Sequence, residues 1–375
     1  MRVMYIAPRF HTNQAPVVKA LVQHGHDVCF VSQYRGRIED YSVLQPVVIG
    51  YSRSFLAWEK FYKNILHKNN ALAGDMRLKF GTPPVRKLKH KIKEFKPDVI
   101  IIRERSVYSI VTYMLCKGMK IPFILYNQSP VWEESIKKDL MHRIVKSMLP
   151  KVRMTPVMGN QEKGEKEENT VFVPFVIEPR FKSAQKIWFE NGNINILCIG
   201  KYEQRKNINM LITVFAELQK KYKLKLTVAG ECSNKFHKEY YDKQQAYINE
   251  LEQQDNIKLL QNLSRNEIDE LYKHTDLFIL PSTGEPASVS QMEAMSYSVP
   301  VICSDKNGTS CYVDDGIDGY LFKDNDTKDL KTKIELMVSN MNKMKKMGDN
   351  GYQYITDECS YEKYIAGIRN CMCYD

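Results

Sequence analysis

Short apolar runs alternate along the chain with longer stretches whose apolar positions recur every three to four residues. This is the pattern of parallel strands covered by helices. In the first half it predicts strands over Val3–Ala7, Asp27–Val31, Asp98–Ile102 and Pro122–Leu125, with helices over Pro16–His24 and Ser106–Lys117. In the second half it predicts strands over Ile194–Ile199, Lys225–Ala229, Ile257–Leu260, Leu277–Leu280 and Val299–Cys303. Helices there are predicted over Asn209–Lys221, Lys238–Gln253, Arg265–His274 and Pro286–Tyr297. The result is an α/β chain of two successive Rossmann-like halves. Between them, Gly159 to Gly192 is polar and charge-dense (NQEKGEKEENT) apart from VFVPFVIEP, which places a hinge near residues 176–192. The domains are therefore read as 1–180 and 181–358, followed by a terminal segment, 359–375.

Two early segments depart from this alternation. In PPVRKLKHKIKEFK, Val85, Leu88, Ile92 and Phe95 share one helical stripe while Arg86, Lys87, Lys89, Lys91, Lys93 and Lys96 crowd the rest, a basic amphipathic helix. Upstream, Phe55, Trp58, Tyr62, Ile65 and Leu66 keep similar spacing with Lys60, Lys63 and Lys68 interleaved. One reading is two helices packed on a sheet with solvated charged faces; the other is a docking surface for an anionic membrane.

Composition narrows the class. With 375 residues, 43% apolar and 26% charged, the chain suits a two-domain globular protein and not a disordered, collagenous or coiled-coil one. MRVMYIAPRF is too short in its apolar run for a signal peptide, and Lys117, Gly118 and Lys120 interrupt the apolar stretch Ile110 to Tyr126. Nine scattered cysteines without a C-x-x-C pair read as reduced thiols, and Cys371 and Cys373 alone make no metal site. A cytoplasmic protein is expected. Its charge is lopsided: residues 1–180 hold 30 Lys and Arg against 16 Asp and Glu, a net +14, whereas residues 181–375 carry −3. An anionic partner for the first half is implied, either a membrane surface, a phosphorylated lipid, an acidic polymer or nucleic acid.

The densest chemistry lies in LFILPSTGEPASVSQMEAMSYSVPVICSD, residues 277–305. A strand runs into a small-residue loop, a helix is expected to begin at about Pro286, and Glu285 and Glu293 are eight residues apart at its mouth and along it. Such a helix N-terminus at the carboxyl ends of parallel strands favours an anion such as a diphosphate.

This segment resembles the E-x7-E signature of the retaining nucleotide-sugar glycosyltransferases of family 4 (glycosyl transferases group 1), with EAM and PVI following. The resemblance continues through ILCIGKYEQRKNINMLITVFAEL, LTVAGE and NGTSCYVDDGIDGYLFKDND, and more thinly through GHDV, PDVI and VFVPFVIEPRF. It implies two Rossmann-like domains facing each other across a cleft, the GT-B architecture. It also implies a C-terminal helix, Tyr361–Cys373, crossing back to the first domain. Lys206 matches the family lysine on the donor diphosphate. Lys201, next to Gly200, stands where the family has an arginine, and Arg205 is a second candidate for that charge. Glu293 matches the glutamate on the nucleotide ribose and Glu285 the one beside the donor sugar. The main chain of Pro286, Ala287 and Ser288 replaces the family's Gly-x-Gly around sugar and phosphate. On the acceptor side APRFHTNQAP lacks the Gly-Gly loop, and Asn127 or Gln128 stands near the position of a family histidine.

The resemblance implies transfer of a sugar from a nucleotide-diphosphate donor to a saccharide or lipid-linked acceptor in cell-surface polysaccharide or glycoconjugate synthesis. No cofactor and no metal are expected, and the protein is placed in the cytoplasm or peripherally on the inner face of the membrane. A catalytically silent glycosyltransferase-like subunit is the alternative. Nucleic acid is not expected as a partner, since no reading module accompanies the charge. Asp324-Asn325-Asp326 is read as a solvated turn and not a metal-binding D-x-D, and His24 and His26 as a helix C-cap around Gly25.

Overall fold

The structure, a computed structural model, describes residues 1–36, 41–62, 73–104, 106–128, 144, 147–150, 152–157 and 170–372. Lys63, Ile65, Leu66, Lys68, most of the NQEKGEKEENT stretch and Cys373 lie outside the described residues. The first sheet contains β1 (Arg2–Ala7), β2 (Asp27–Ser32), β3 (Val47–Val48), β4 (Val99–Arg103), β5 (Phe123–Tyr126), β6 (Arg153–Thr155) and β7 (Thr170–Phe172). They lie in the order β3-β2-β1-β4-β5-β6-β7, all parallel. Helices α1 (Ala15–Gln23), α2 (Arg53–Phe61), α3 (Ala73–Phe80), α4 (Val85–Phe95) and α5 (Val107–Met119) connect them. In β1, Met4 faces Cys29 on one side and Ile100 on the other. Val3 and Tyr5 fall in one apolar core and Met4 and Ile6 in another. A strand buried on both faces must be apolar throughout, which is why VMYIA and VIII read as continuous runs.

The second sheet contains β8 (Ile194–Ile199), β9 (Leu224–Gly230), β10 (Ile257–Gln261), β11 (Leu277–Leu280), β12 (Val301–Ser304) and β13 (Gly319–Phe322) in the order β10-β9-β8-β11-β12-β13. Helices α6 (Ile208–Leu218), α7 (Lys235–Glu250), α8 (Arg265–Lys273), α9 (Val289–Ser296), α10 (Thr327–Val338) and α11 (Met341–Glu358) belong to it. Each sheet is doubly wound: strand order reverses beside β1 and again beside β8.

The last helix, α12 (Tyr361–Met372), leaves the second domain and packs on the first. Ile365, Ile368 and Cys371 enter the core that holds Val3 and Val173, and the Tyr364 and Tyr5 hydroxyls are 2.9 Å apart. His24 does follow α1 as its C-cap, but a cap is not the whole account of the two histidines. The His24 ring stacks on Tyr361 at 3.7 Å, and His26 Nε2 lies 2.5 Å from the Tyr361 hydroxyl. That partner is more than 330 residues distant in sequence, beyond any local reading. Elsewhere the domains are stitched by Ile177 N donating to Cys359 O (2.9 Å) and by Tyr312, whose hydroxyl donates to Pro156 O (2.7 Å) and accepts from Phe175 N (3.0 Å).

The basic amphipathic helix is α4, but its stripe is already used. Leu88 and Ile92 are buried in the first domain's core, Phe95 packs on that core, and Val85 is exposed, which corrects the four-residue apolar face. What α4 offers solvent is charge: Arg86, Lys87, Lys89, Lys93 and Lys96 are exposed. In α2, Phe55 is buried, whereas Trp58 is 43% and Phe61 55% exposed. Among the described residues no helix is long and apolar enough to cross a membrane.

Candidate functional site

In an open parallel sheet the loops after two neighbouring strands diverge where the strand order reverses, leaving a crevice at their carboxyl ends. In the second domain those strands are β8 and β11, neighbours with Leu277 opposite Ile196. The loop after β8 runs through Gly200 and Lys201 to a 3-10 turn, Gln204–Lys206, which ends at Asn207 in the left-handed region (φ +49°). The loop after β11 carries Ser282, Thr283, Gly284 and Glu285. The two loops are bonded through Thr283 N to Arg205 O at 2.9 Å.

Three of the sequence-derived residues meet here. Glu285 Oε2 accepts from Arg205 Nη1 at 2.7 Å and from Lys206 Nζ, and Glu285 and Lys206 are only 5% and 8% exposed. A carboxylate this deep needs charged partners to offset its lost hydration. Arg205 also pairs with Glu203 at 2.6 Å. The Lys206 stem lies along Gly200, where a β carbon would stand 3.1 Å from its Cδ and Cε, so a side chain at 200 would push the lysine away. Lys201 is held separately: its ammonium pairs with Glu231 at 3.1 Å. Burial opposes ionisation of Glu231, but Ser233 and Lys201 outweigh it and lower the carboxyl below its ordinary range. Each of these three cations therefore already faces a carboxylate.

The helix expected from Pro286 begins instead at Val289, with Ser288 as its extended N-cap residue. Tertiary bonds hold the preceding residues out of the helix. Gly308 N donates to Glu285 O at 2.7 Å and Ser288 N to Thr309 Oγ1 at 3.2 Å. Pro286 O stands where only a glycine fits opposite it, since a β carbon on Gly308 would come within 1.8 Å. Pro286, Ala287 and Ser288 thus form a loop, and Glu285 and Glu293 do not share a helix.

Glu293 lies on α9 and accepts from Arg265 Nη1, which begins α8, and from the Tyr272 hydroxyl at 3.3 Å. Arg265 bonds Asp269 as well, at 2.9 Å. Burial disfavours its charge, yet Glu293 and Asp269 more than compensate and push the guanidinium above its ordinary value. Burial, then the neighbouring Glu293, drives the Tyr272 hydroxyl far upward, so it serves as a neutral donor. Arg265, Tyr272 and Glu231 escaped the sequence reading. The Ser264-x-x-Glu267 capping box marks the helix start, but only the packing of α8 on α9 shows that Arg265 reaches Glu293.

Asn127 and Gln128 stand at the carboxyl end of β5 in the other domain, where Gln128 N donates to Asn127 Oδ1 at 2.7 Å. None of the contacts above joins them to the charged cluster. The turn read as solvated, Asp324-Asn325-Asp326, is exposed at Asn325 and half-buried at the two aspartates, and it is also anchored. Asp326 caps α10 by accepting from Lys328 N and Asp329 N, and Asp324 accepts from Thr283 and Ser304. The donors to Asp326 are local, whereas Thr283 and Ser304, which donate to Asp324, come from elements far away in sequence.

Two Rossmann-like domains, with this crevice in the second, have the GT-B architecture. The structure of Anabaena HepE in complex with UDP shares the fold over 100% of both chains, with a TM-score of 0.70 at 13% identity. Residues 180–354 match the family Glycosyl transferases group 1. A glycosyltransferase of Methanocaldococcus jannaschii, itself uncharacterized, is 32% identical over 113 residues, which is 30% of this chain and 32% of that protein. An N,N'-diacetylbacillosaminyl-diphospho-undecaprenol alpha-1,3-N-acetylgalactosaminyltransferase of Campylobacter jejuni is 30% identical over 112 residues, 30% of this chain and 29% of its own. The matched stretches thus span about a third of the length of these relatives.

Proposed function

We propose that the protein is a retaining glycosyltransferase that moves a sugar from a nucleotide-diphosphate sugar to a saccharide or lipid-linked acceptor, in the synthesis of cell-surface polysaccharide or glycoconjugate. The observation that carries the reading is the convergence of Arg205 and Lys206 on Glu285 in the switch-point crevice of a domain that matches group 1. When the bond from sugar to diphosphate breaks, the leaving group gathers negative charge. Cations fixed in advance stabilise that charge without having to reorganise. Lys206 and Arg205 fill this role, with the loop 286–288 beside them. Glu293, oriented by Arg265 and Tyr272, accepts from the ribose hydroxyls. Glu285 lies beside the donor sugar and keeps the two cations in place until the diphosphate shares them. In this reading the leaving group's charge is met by side chains, and no divalent ion is required.

Support for a lipid-linked acceptor comes from the Campylobacter relative's substrate and from the charge of the first domain. The exposed cations of α4 and the exposed Trp58 and Phe61 of α2 suit contact with an anionic membrane surface, where each Lys or Arg contributes on the order of 1 kcal/mol.

The test is thermal stabilisation by UDP, GDP, ADP and dTDP and their sugars, since a ligand bound only to the folded state raises the melting temperature. Sugar transfer assays of wild type, Lys206→Ala and Glu293→Ala follow. Loss of a charge-assisted contact to the leaving group is expected to raise the barrier by about 2–4 kcal/mol. Wild-type kcat/KM in both variants would remove these residues from the reading, and binding without transfer would favour a silent subunit.

A further inference from the structure

A third loop meets the charged cluster. After β13 the turn through Asp324 and Asn325 reaches the two loops that carry Arg205, Lys206 and Glu285. The Thr283 hydroxyl donates to Asp324 Oδ2 at 2.8 Å and accepts from Asn325 Nδ2 at 3.2 Å. Asn207 Nδ2 donates to Asn325 Oδ1 at 2.8 Å. Asp324 is itself fixed: the Ser304 hydroxyl donates to its Oδ1 at 2.8 Å, and its own N donates to Asp305 Oδ1 at 3.0 Å. One turn thus bridges Asn207, the residue after Lys206, to Thr283, two residues before Glu285.

The backbone makes the arrangement more specific. Asn207 and Asn325 both sit in the left-handed region, at φ +49° and +57°. Asparagine is among the few residues with a side chain that tolerate this conformation, and here the two side chains bond each other. Where Lys206 turns into α6, the bend is held through a side chain from another loop and not by the chain's own geometry alone.

We propose that Asp324, Asn325, Thr283 and Asn207 form a clamp of positioning residues that sets the Arg205–Lys206 turn against Glu285, so that both cations are preorganised for the diphosphate of the donor. This rests on the reading of the crevice as a nucleotide-sugar site. The clamp bonds to neither Arg265 nor Tyr272, the residues that orient Glu293, so it acts on the diphosphate and leaves recognition of the nucleoside alone.

Two substitutions remove clamp bonds while sparing the backbone. Asn325→Gly keeps the positive φ at no steric cost, and Thr283→Val replaces the hydroxyl by a methyl of similar size. Binding of UDP, GDP, ADP and dTDP and of the matching monophosphates is measured by calorimetry, with melting temperatures recorded alongside. For the diphosphate that wild type binds, each variant is expected to lose affinity about tenfold, as deletion of hydrogen bonds around charged groups does. Affinity for the matching monophosphate stays near wild type, kcat falls and the donor KM rises, and Thr283→Ser restores both. Wild-type diphosphate binding in Thr283→Val and Asn325→Gly overturns the clamp. So does an equal loss for diphosphate and monophosphate, which marks a general structural defect. Failure of wild type to bind any of the four diphosphates is a distinct result: it overturns the nucleotide-sugar reading and the clamp with it.

Discussion

Replacing Gly308 by alanine tests how tightly the Glu285 loop is held. The added β carbon would lie 1.8 Å from Pro286 O, 2.7 Å from Pro286 C and 3.3 Å from Glu285 O. All three are main-chain atoms, so no side-chain rotation relieves the overlap and the Glu285–Pro286 segment has to move outward. That movement breaks the 2.7 Å bond from Gly308 N to Glu285 O. Overpacking of this kind costs about 1–3 kcal/mol and the lost hydrogen bond about 1 kcal/mol. Gly308 is outside the positive-φ region, so alanine also stiffens the unfolded chain and returns about 0.4–1 kcal/mol. The net expectation is a loss of about 1–3 kcal/mol, read as a lower urea midpoint at unchanged slope. Gly118 is the control: it is exposed near the end of α5, and a β carbon there meets nothing within 4 Å. Gly118→Ala should therefore be neutral or stabilising by up to about 1 kcal/mol. Since Glu285 shifts with its loop, Gly308→Ala should also weaken diphosphate binding where Gly118→Ala does not. A midpoint for Gly308→Ala at or above that of Gly118→Ala would refute the close-approach argument.

Lys186 gives a pH-dependent expectation. Burial pushes it down to about 7, with Asp276 acting in the opposite sense, and its ammonium lies 4.8 Å from the Trp188 ring. The unfolded chain holds a lysine near about 10.4, so between pH 7 and 10 the unfolded state binds more protons and this residue makes stability rise with pH. Lys186→Met should flatten that rise in urea titrations between pH 7 and 9.5; identical pH dependence in both proteins would count against the buried lysine. On the membrane side, changing Lys87, Lys89, Lys91 and Lys93 to Glu should abolish salt-sensitive co-sedimentation with anionic vesicles. Because Leu88 and Ile92 stay in the core, the melting temperature should hardly change. Equal pelleting of wild type and variant, or none by wild type at low salt, removes the membrane from the proposal.

Much of the architecture was legible in residue order, for a definite reason. Strands buried on both faces, such as β1, β4, β8 and β11, are forced to be apolar over most of their length, so VMYIA, VIII, ILCI and LFIL mark themselves without knowledge of their neighbours. The two- and three-residue strands β3, β6 and β7 have too few positions to show a period, and only pairing with a neighbour defines them. The same division holds at the crevice. Glu285 and Glu293 stood out by spacing and Lys206 and Arg205 by the family resemblance, but their partners come from loops that chain order keeps apart. Glu293 takes Arg265 from α8, Lys201 takes Glu231 from the end of β9, and the turn at Asp324 and Asn325 closes on Thr283 and Asn207. The start of α9 at Val289, against a sequence that favours helix from Pro286, was likewise decided by Gly308 and Thr309 capturing the backbone of the loop. Local propensity and periodicity act over a few residues, so the sequence determined which segments become strand or helix. Which donor meets which acceptor depends on how the second sheet brings distant loops together, and that was settled only by the tertiary structure.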